Sequence, residues 1–286
     1  HAELNQARNF KAWFKRGLTV ASIMNGIEQT LFRGPVPWTL HRHKADHEYL
    51  RPADQCKKID YPKPDGVLIV DSRPTARMYD PGHIPTAVSI PDTQFEKMTD
   101  RLPADKAALL VFYCGGVDCI LSHKSAFKAE KLGYGNVKVY AEGYPDWLKK
   151  GNIGAVSVAF LKKQMDEKAP MLIVDSRPKA RMYDKGHIPG AVSIPDSSFD
   201  SMVSRLPADE ATPLYFYCGG LSCKLSSNSA EKAVKLGYSN VKVVPDGYPA
   251  WEKAYGPGPA GDEPGGVAKA PAIEQGKEAG SITVAS

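Results

Sequence analysis

Two short segments hold most of the chemistry this chain offers: Cys114-Gly-Gly-Val-Asp-Cys119 and Cys218-Gly-Gly-Leu-Ser-Cys223. In each, a cysteine closes an apolar run and a double glycine follows. A second cysteine stands five positions on, and a serine, Ser122 or Ser226, eight positions on. Gly115-Gly116 and Gly219-Gly220 permit a sharp turn whose backbone N–H groups converge into an anion-holding nest. A helix starting near Ser122 or Ser226 adds the positive end of its dipole. A thiol placed there is expected to have a depressed pKa, and the same cradle stabilises the terminal sulfur of a persulfide. Cys114 and Cys218 are therefore the candidate nucleophiles. Cys119 and Cys223 are candidate resolving thiols, provided the loop brings the paired Cα atoms within about 7 Å. The plainer alternatives are a packing cysteine at a strand end and a spectator thiol beside it; recurrence of the whole pattern tells against both. A four-thiolate metal site joining the two pairs is a further alternative, but glycine nests favour anions over cations. No metal and no cofactor is expected.

The elements that position these loops occur twice. Asp71–Pro91 and Asp175–Pro195 share 18 of 21 residues at an offset of 104, and that offset holds without a gap from Asp71 to Trp147. Solenoid repeats have periods of about 20–50 residues, so this unit is a duplicated domain. Within it, Val67–Val70, Ala87–Ile90, Leu109–Tyr113 and Val137–Tyr140 have the apolar, β-branched character of short strands. Gln94–Asp100 and Ser122–Leu132 have helical character, the second stopped by Gly133. Apolar strands alternating with helices predict an α/β fold, with a parallel sheet covered on both faces in each unit. The expected division is an N-terminal extension over 1–50, a first domain over 51–151, a second over 152–255, and a Gly/Pro-rich tail or linker over 256–286. Gly280–Ala285 echoes Gly154–Ala159, a weak sign of a further unit.

Composition narrows the function classes. The net charge of +5 is spread over 37 basic and 32 acidic residues with no long basic run, which speaks against a nucleic-acid partner. No apolar stretch reaches the 18 or so residues of a membrane span. Five cysteines, four of them in two matched pairs, indicate site chemistry rather than a disulfide framework. Cys56 stands in a helical stretch as a packing residue. His41, His43 and His47 alternate with Arg42 and Lys44 and are weighed as a solvated basic segment before a metal site. The His1 start and the aromatic-basic Phe10–Arg16 segment lead us to expect a periplasmic or otherwise extracytoplasmic setting, the cytoplasm being the alternative.

The Asp-Ser-Arg strand end, the Gly-His-Ile-Pro segment, the cysteine loop and the closing Gly-Tyr-Pro-x-Trp together resemble the rhodanese superfamily over about residues 51–255. The resemblance implies a sulfurtransferase cycle in which Cys114 and Cys218 take a sulfane sulfur as persulfide and pass it to a thiol or cyanide. Arg73 and Arg177 would border the site, with a structural salt bridge as an equal reading, and His83 and His187 would hold loop geometry. The loop departs from the family pattern: it looks about two residues longer, carries Asp118 and no Arg or Lys in the first copy, and Lys224 in the second. A neutral or acidic loop disfavours thiosulfate and favours polysulfide, a protein persulfide or a selenium analogue. Rhodanese-fold phosphatases and arsenate reductases also use longer loops, but with an Arg before the helix, where this chain has Ile120 and Lys224. The alternative outside catalysis is a sulfur or selenium carrier, or a redox dithiol protein, that delivers to a partner protein without turnover.

Overall fold

The computed structural model describes residues 67–261. The Phe10–Arg16 segment, the His41/His43/His47 segment, Cys56 and the Gly280–Ala285 echo lie outside the described residues. The first unit runs β1 (Val67–Asp71), β2 (Val88–Ser89), β3 (Leu109–Tyr113), α1 (Leu121–Lys131), β4 (Val137–Tyr140) and α2 (Gly143–Lys149). The second runs β5 (Gly154–Ala155), α3 (Val158–Asp166), β6 (Leu172–Asp175), β7 (Val192–Ser193), β8 (Leu214–Tyr217), α4 (Leu225–Lys235), β9 (Val241–Val244) and α5 (Gly247–Tyr255). Strand orders are β2-β1-β3-β4 and β5-β9-β8-β6-β7, and every pairing within the two sheets is parallel.

Parallel strands covered on both faces need apolar residues at every position, and the buried set divides by parity as the pleat requires. Leu68, Val70, Leu110 and Phe112 pack with Ala126 and Ala129 of α1. Val67, Ile69, Val111 and Tyr113 turn the other way, onto Trp147 of α2. The second unit repeats both layers, with Phe216 beside Ala230 and Tyr217 beside Trp251. The register pairs Asp71 with Tyr113 and Tyr113 with Tyr140, so the carboxyl ends of three strands come level. Cys114 is the next residue of the central strand, and it leaves the sheet there. The expected Gln94–Asp100 helix is two 3-10 segments, Asp92–Lys97 and Thr99–Arg101, interrupted where Met98 takes φ −122° and ψ 21°. Its Phe95 still reaches the core, with ring centroids 6.2 Å from Phe112.

The seam between units uses backbone. His83 and Ala155 exchange two hydrogen bonds of 2.9 and 2.8 Å, Ser157 N–H donates to the Asp80 carbonyl, and Lys242 Nζ reaches the Pro81 carbonyl at 3.1 Å. β5 thus belongs to the second sheet while bridging to the first unit. The start of the Gly/Pro-rich segment repeats part of that docking on the second unit. His187 N–H donates to Pro259 O at 3.1 Å and Gly261 N–H to Asp184 O at 2.9 Å, both displaced by 104 residues from the seam.

Candidate active site

Cys114 is held by its loop on every side. Its carbonyl accepts from Tyr144 N–H at 3.1 Å, which ties the loop to the start of α2. Gly143, at φ +64°, lies so close that a Cβ there would fall 2.3 Å from the Cys114 carbonyl oxygen. Gly247 does the same in the second unit, at φ +63° and 2.3 Å from the Cys218 carbonyl oxygen. Only glycine tolerates both the left-handed backbone and the approach. Gly116 turns the loop at φ +115° and Gly220 at φ +111°, after which Cys119 N–H closes onto the Gly116 carbonyl at 2.9 Å. Gly115 packs its open face between Cys119 Cβ and Met78 Cε, and Gly219 between Cys223 Cβ and Met182 Cε.

The sulfurs are not equivalent. Cys114 and Cys218 are 0% exposed, whereas Cys119 and Cys223 are half-buried. Cys114 Sγ donates to the Cys119 carbonyl at 3.1 Å and lies 3.1 Å from Ser122 Oγ. The second loop gives 3.2 Å for both contacts, to the Cys223 carbonyl and Ser226 Oγ. The Ser122 N–H favours the charged form of Cys114, and the Gly115 and Leu121 N–H groups that of Cys119. Gly219 N–H and Leu225 N–H do so for Cys223.

The electrostatics therefore differ from the sequence expectation. The depressed pKa foreseen at Cys114 and Cys218 falls on the second cysteine of each loop. The neighbouring Cys114 thiol leads the causes that lower Cys119 to about 6, followed, after a smaller opposing effect of burial, by the two N–H groups and the Arg73 charge. Cys223 reaches about 6 through the matching contacts and Arg177. Cys114 and Cys218 are pushed up, first by the neighbouring thiol and then by burial.

Arg73 and Arg177 border this site through their fields. Arg73 is buried, pairs with Asp71 at 2.5 Å, and donates to the Gly82 carbonyl at 2.7 Å. Its guanidinium sits 4.8 Å from the Tyr144 ring centroid and 5.5 Å from that of Tyr113. Burial opposes the charge, but the Asp71 hydrogen bonds and charge more than offset this and raise its pKa. Arg177 repeats the set with Asp175, Gly186, Tyr248 and Tyr217. His83 stacks on Tyr79 at 3.8 Å with Nδ1 2.8 Å from the Tyr79 carbonyl, and burial drives its pKa to about 3, so the ring is neutral. His187 stacks on Tyr183 in the same way, at 3.8 Å. Lys224 and Asp118 lie exposed on the loops, Lys224 at the start of α4. Among the described residues no group of three or more His, Cys, Asp or Glu gathers where a metal could sit, so the four cysteines form two separate dithiols. Among the same residues no helix is long and apolar enough to cross a membrane.

Sequence reasoning missed Gly143 and Gly247 as supports of the cysteine loop, and Met78 and Met182 as its neighbours. The repeated Gly-Tyr-Pro signalled the glycines, since a glycine kept at a duplicated strand-to-helix junction marks close backbone approach. Nothing in the pattern singled out the methionines.

Several known proteins are similar to parts of this chain. Curated relatives include the mitochondrial electron transfer flavoprotein-ubiquinone oxidoreductase of Dictyostelium discoideum, 44% identical over 69 residues, or 24% of this chain and 11% of that protein. Its counterpart from Pseudomonas aeruginosa is 46% identical over 70 residues, 24% of this chain and 13% of that one. The chain thus spans only about a tenth of the length of these relatives. Among solved structures, thiosulfate sulfurtransferase from Pseudomonas aeruginosa gives a TM-score of 0.34 at 18% identity, over 74% of this chain and 44% of that one. The 3-mercaptopyruvate sulfotransferase of Escherichia coli gives 0.30 at 17% identity, over 69% and 98%. The model of the rhodanese-like domain matches residues 53–150 and again 157–254. The chain belongs to the rhodanese-like family and carries two such domains in tandem.

Proposed function

We propose that the protein is a sulfurtransferase that moves sulfane sulfur, or its selenium analogue, through persulfides at Cys114 and Cys218. The observation that carries this reading is the duplicated dithiol loop: a buried thiol in a glycine loop at a helix start, beside a half-buried one, with its distances to a carbonyl and a serine hydroxyl alike to within 0.1 Å in both units. A persulfide is an anion with a soft terminal sulfur, and such a cradle suits it. The donor is polysulfide or a protein persulfide rather than thiosulfate, because the first loop offers a dianion no Lys or Arg. The acceptor is a thiol, on a small molecule or a partner protein, or cyanide.

Turnover separates this from a carrier. With polysulfide and excess cyanide we expect many equivalents of thiocyanate per protein, and background only when Cys114, Cys119, Cys218 and Cys223 are all serine. A single equivalent per loop, with no further product, points to the carrier. The placing of both thiols in one short loop favours a second outcome when no acceptor is present. Cys119 attacks the inner sulfur of the Cys114 persulfide, an intraloop disulfide forms and hydrosulfide leaves. A persulfide that persists on Cys114 with Cys119 still alkylatable contradicts that resolving step.

A further inference from the structure

We infer that sulfur enters each loop at the second cysteine, Cys119 or Cys223, and only then moves to the buried first cysteine. The inference rests on the sulfur-transfer reading and adds the order of events within the site. A donor has to meet a sulfur, and Cys114 is 0% exposed whereas Cys119 is half-buried. A nucleophile also has to be deprotonated. Cys114 donates its S–H to a carbonyl, which requires the proton to be present, while the Gly115 and Leu121 N–H groups favour the charged form of Cys119. The buried Arg73 guanidinium adds positive charge toward that same sulfur. The same set of contacts recurs around Cys218, Cys223 and Arg177. A spectator thiol would have no need of this arrangement twice.

The chemistry balances without an outside oxidant. The Cys119 thiolate attacks a terminal sulfur of an anionic polysulfide; one S–S bond forms, the donor's S–S bond breaks, and the shortened polysulfide leaves with the electron pair. The Cys114 proton passes to the terminal sulfur of the new persulfide. The Cys114 thiolate then attacks that sulfur, Cys119 departs as thiolate, and the persulfide rests on Cys114. Ser122 Oγ, 3.1 Å away, and Ser122 N–H compensate the charge on Cys114 while it lacks its proton.

The test uses the full chain, inorganic tetrasulfide, rapid alkylating quench and peptide mapping. In wild type, mass appears on Cys119 before Cys114. Cys119→Ser slows loading of Cys114 about tenfold or more, a value set by the larger thiolate fraction at low pKa less its lower intrinsic nucleophilicity. Cys114→Ser still takes sulfur on Cys119 and traps it there, with none appearing at position 114. The untouched Cys218 loop reports donor quality and folding in the same molecule. If Cys119→Ser loads Cys114 at the wild-type rate while the Cys218 loop also loads, the entry role is overturned. Sulfur on none of the four cysteines of wild type sinks the sulfur-transfer reading instead.

Discussion

In the Cys114 loop the buried sulfur lies 3.1 Å from a carbonyl and 3.1 Å from a serine hydroxyl; in the Cys218 loop both distances are 3.2 Å. At the rim the loops part: Val117, Asp118 and Ile120 stand where the second copy has Leu221, Ser222 and Lys224. After duplication the contacts that wind the loop stayed fixed and the residues facing solvent drifted. Interior geometry thus accounts for holding sulfur, and rim charge for which donor approaches faster.

The largest expected effect tests whether the interiors are interchangeable. Asp71 and Asp175 are both fully buried partners of a buried arginine. Replacing either by Asn leaves an uncompensated guanidinium in the interior, a loss of about 3–5 kcal/mol. Urea unfolding of D71N and D175N should show similar destabilisation, each abolishing loading in its own unit and sparing the other. Unequal losses would show that the duplicated interiors are not energetically alike.

A smaller effect concerns acid. The folded His83 ring has its pKa lowered from 6.5 to about 3, so above pH 6.5 both folded and unfolded chains hold it neutral. Between those values only the unfolded chain takes up the proton, and stability falls by up to about 1.4 kcal/mol per pH unit as pH drops. Unfolding followed from pH 7 to 4 should show this slope in the first unit, flattened in His83→Gln. An unchanged slope in that variant removes His83 as the cause.

The smallest effect lies at the rim. Lys224→Ile should slow polysulfide loading of Cys218, and Ile120→Lys should speed that of Cys114, each about fivefold, for roughly 1 kcal/mol at 4 Å in water. Both effects should fade with added salt. Salt-independent rates in both variants would break the link between rim charge and donor approach.

Much of this was legible in the residues. The repeat, the strands ending at Asp71 and Tyr113 and the placement of Cys114 follow from apolar runs and turn residues, which act locally. Which sulfur carries the lowered pKa did not follow, because that depends on how the loop winds against Gly143, 28 residues after Gly115. The bridging by β5 was equally invisible: Gly154-Ala155 looks like a linker, and only the partners on either side make it a strand. Pro257–Gly261 has linker composition too, yet its carbonyl and N–H groups dock on His187 and Asp184.

The central claim is that both first cysteines store the sulfur. Peptide mapping of the Cys119→Ser/Cys223→Ser protein, in which no second thiol can discharge the persulfide, after saturation with polysulfide and before any acceptor is added, tests it most directly. The account predicts about 32 Da of added sulfur at Cys114 and the same at Cys218. Sulfur at one of them alone, or at neither while the donor is consumed, contradicts it.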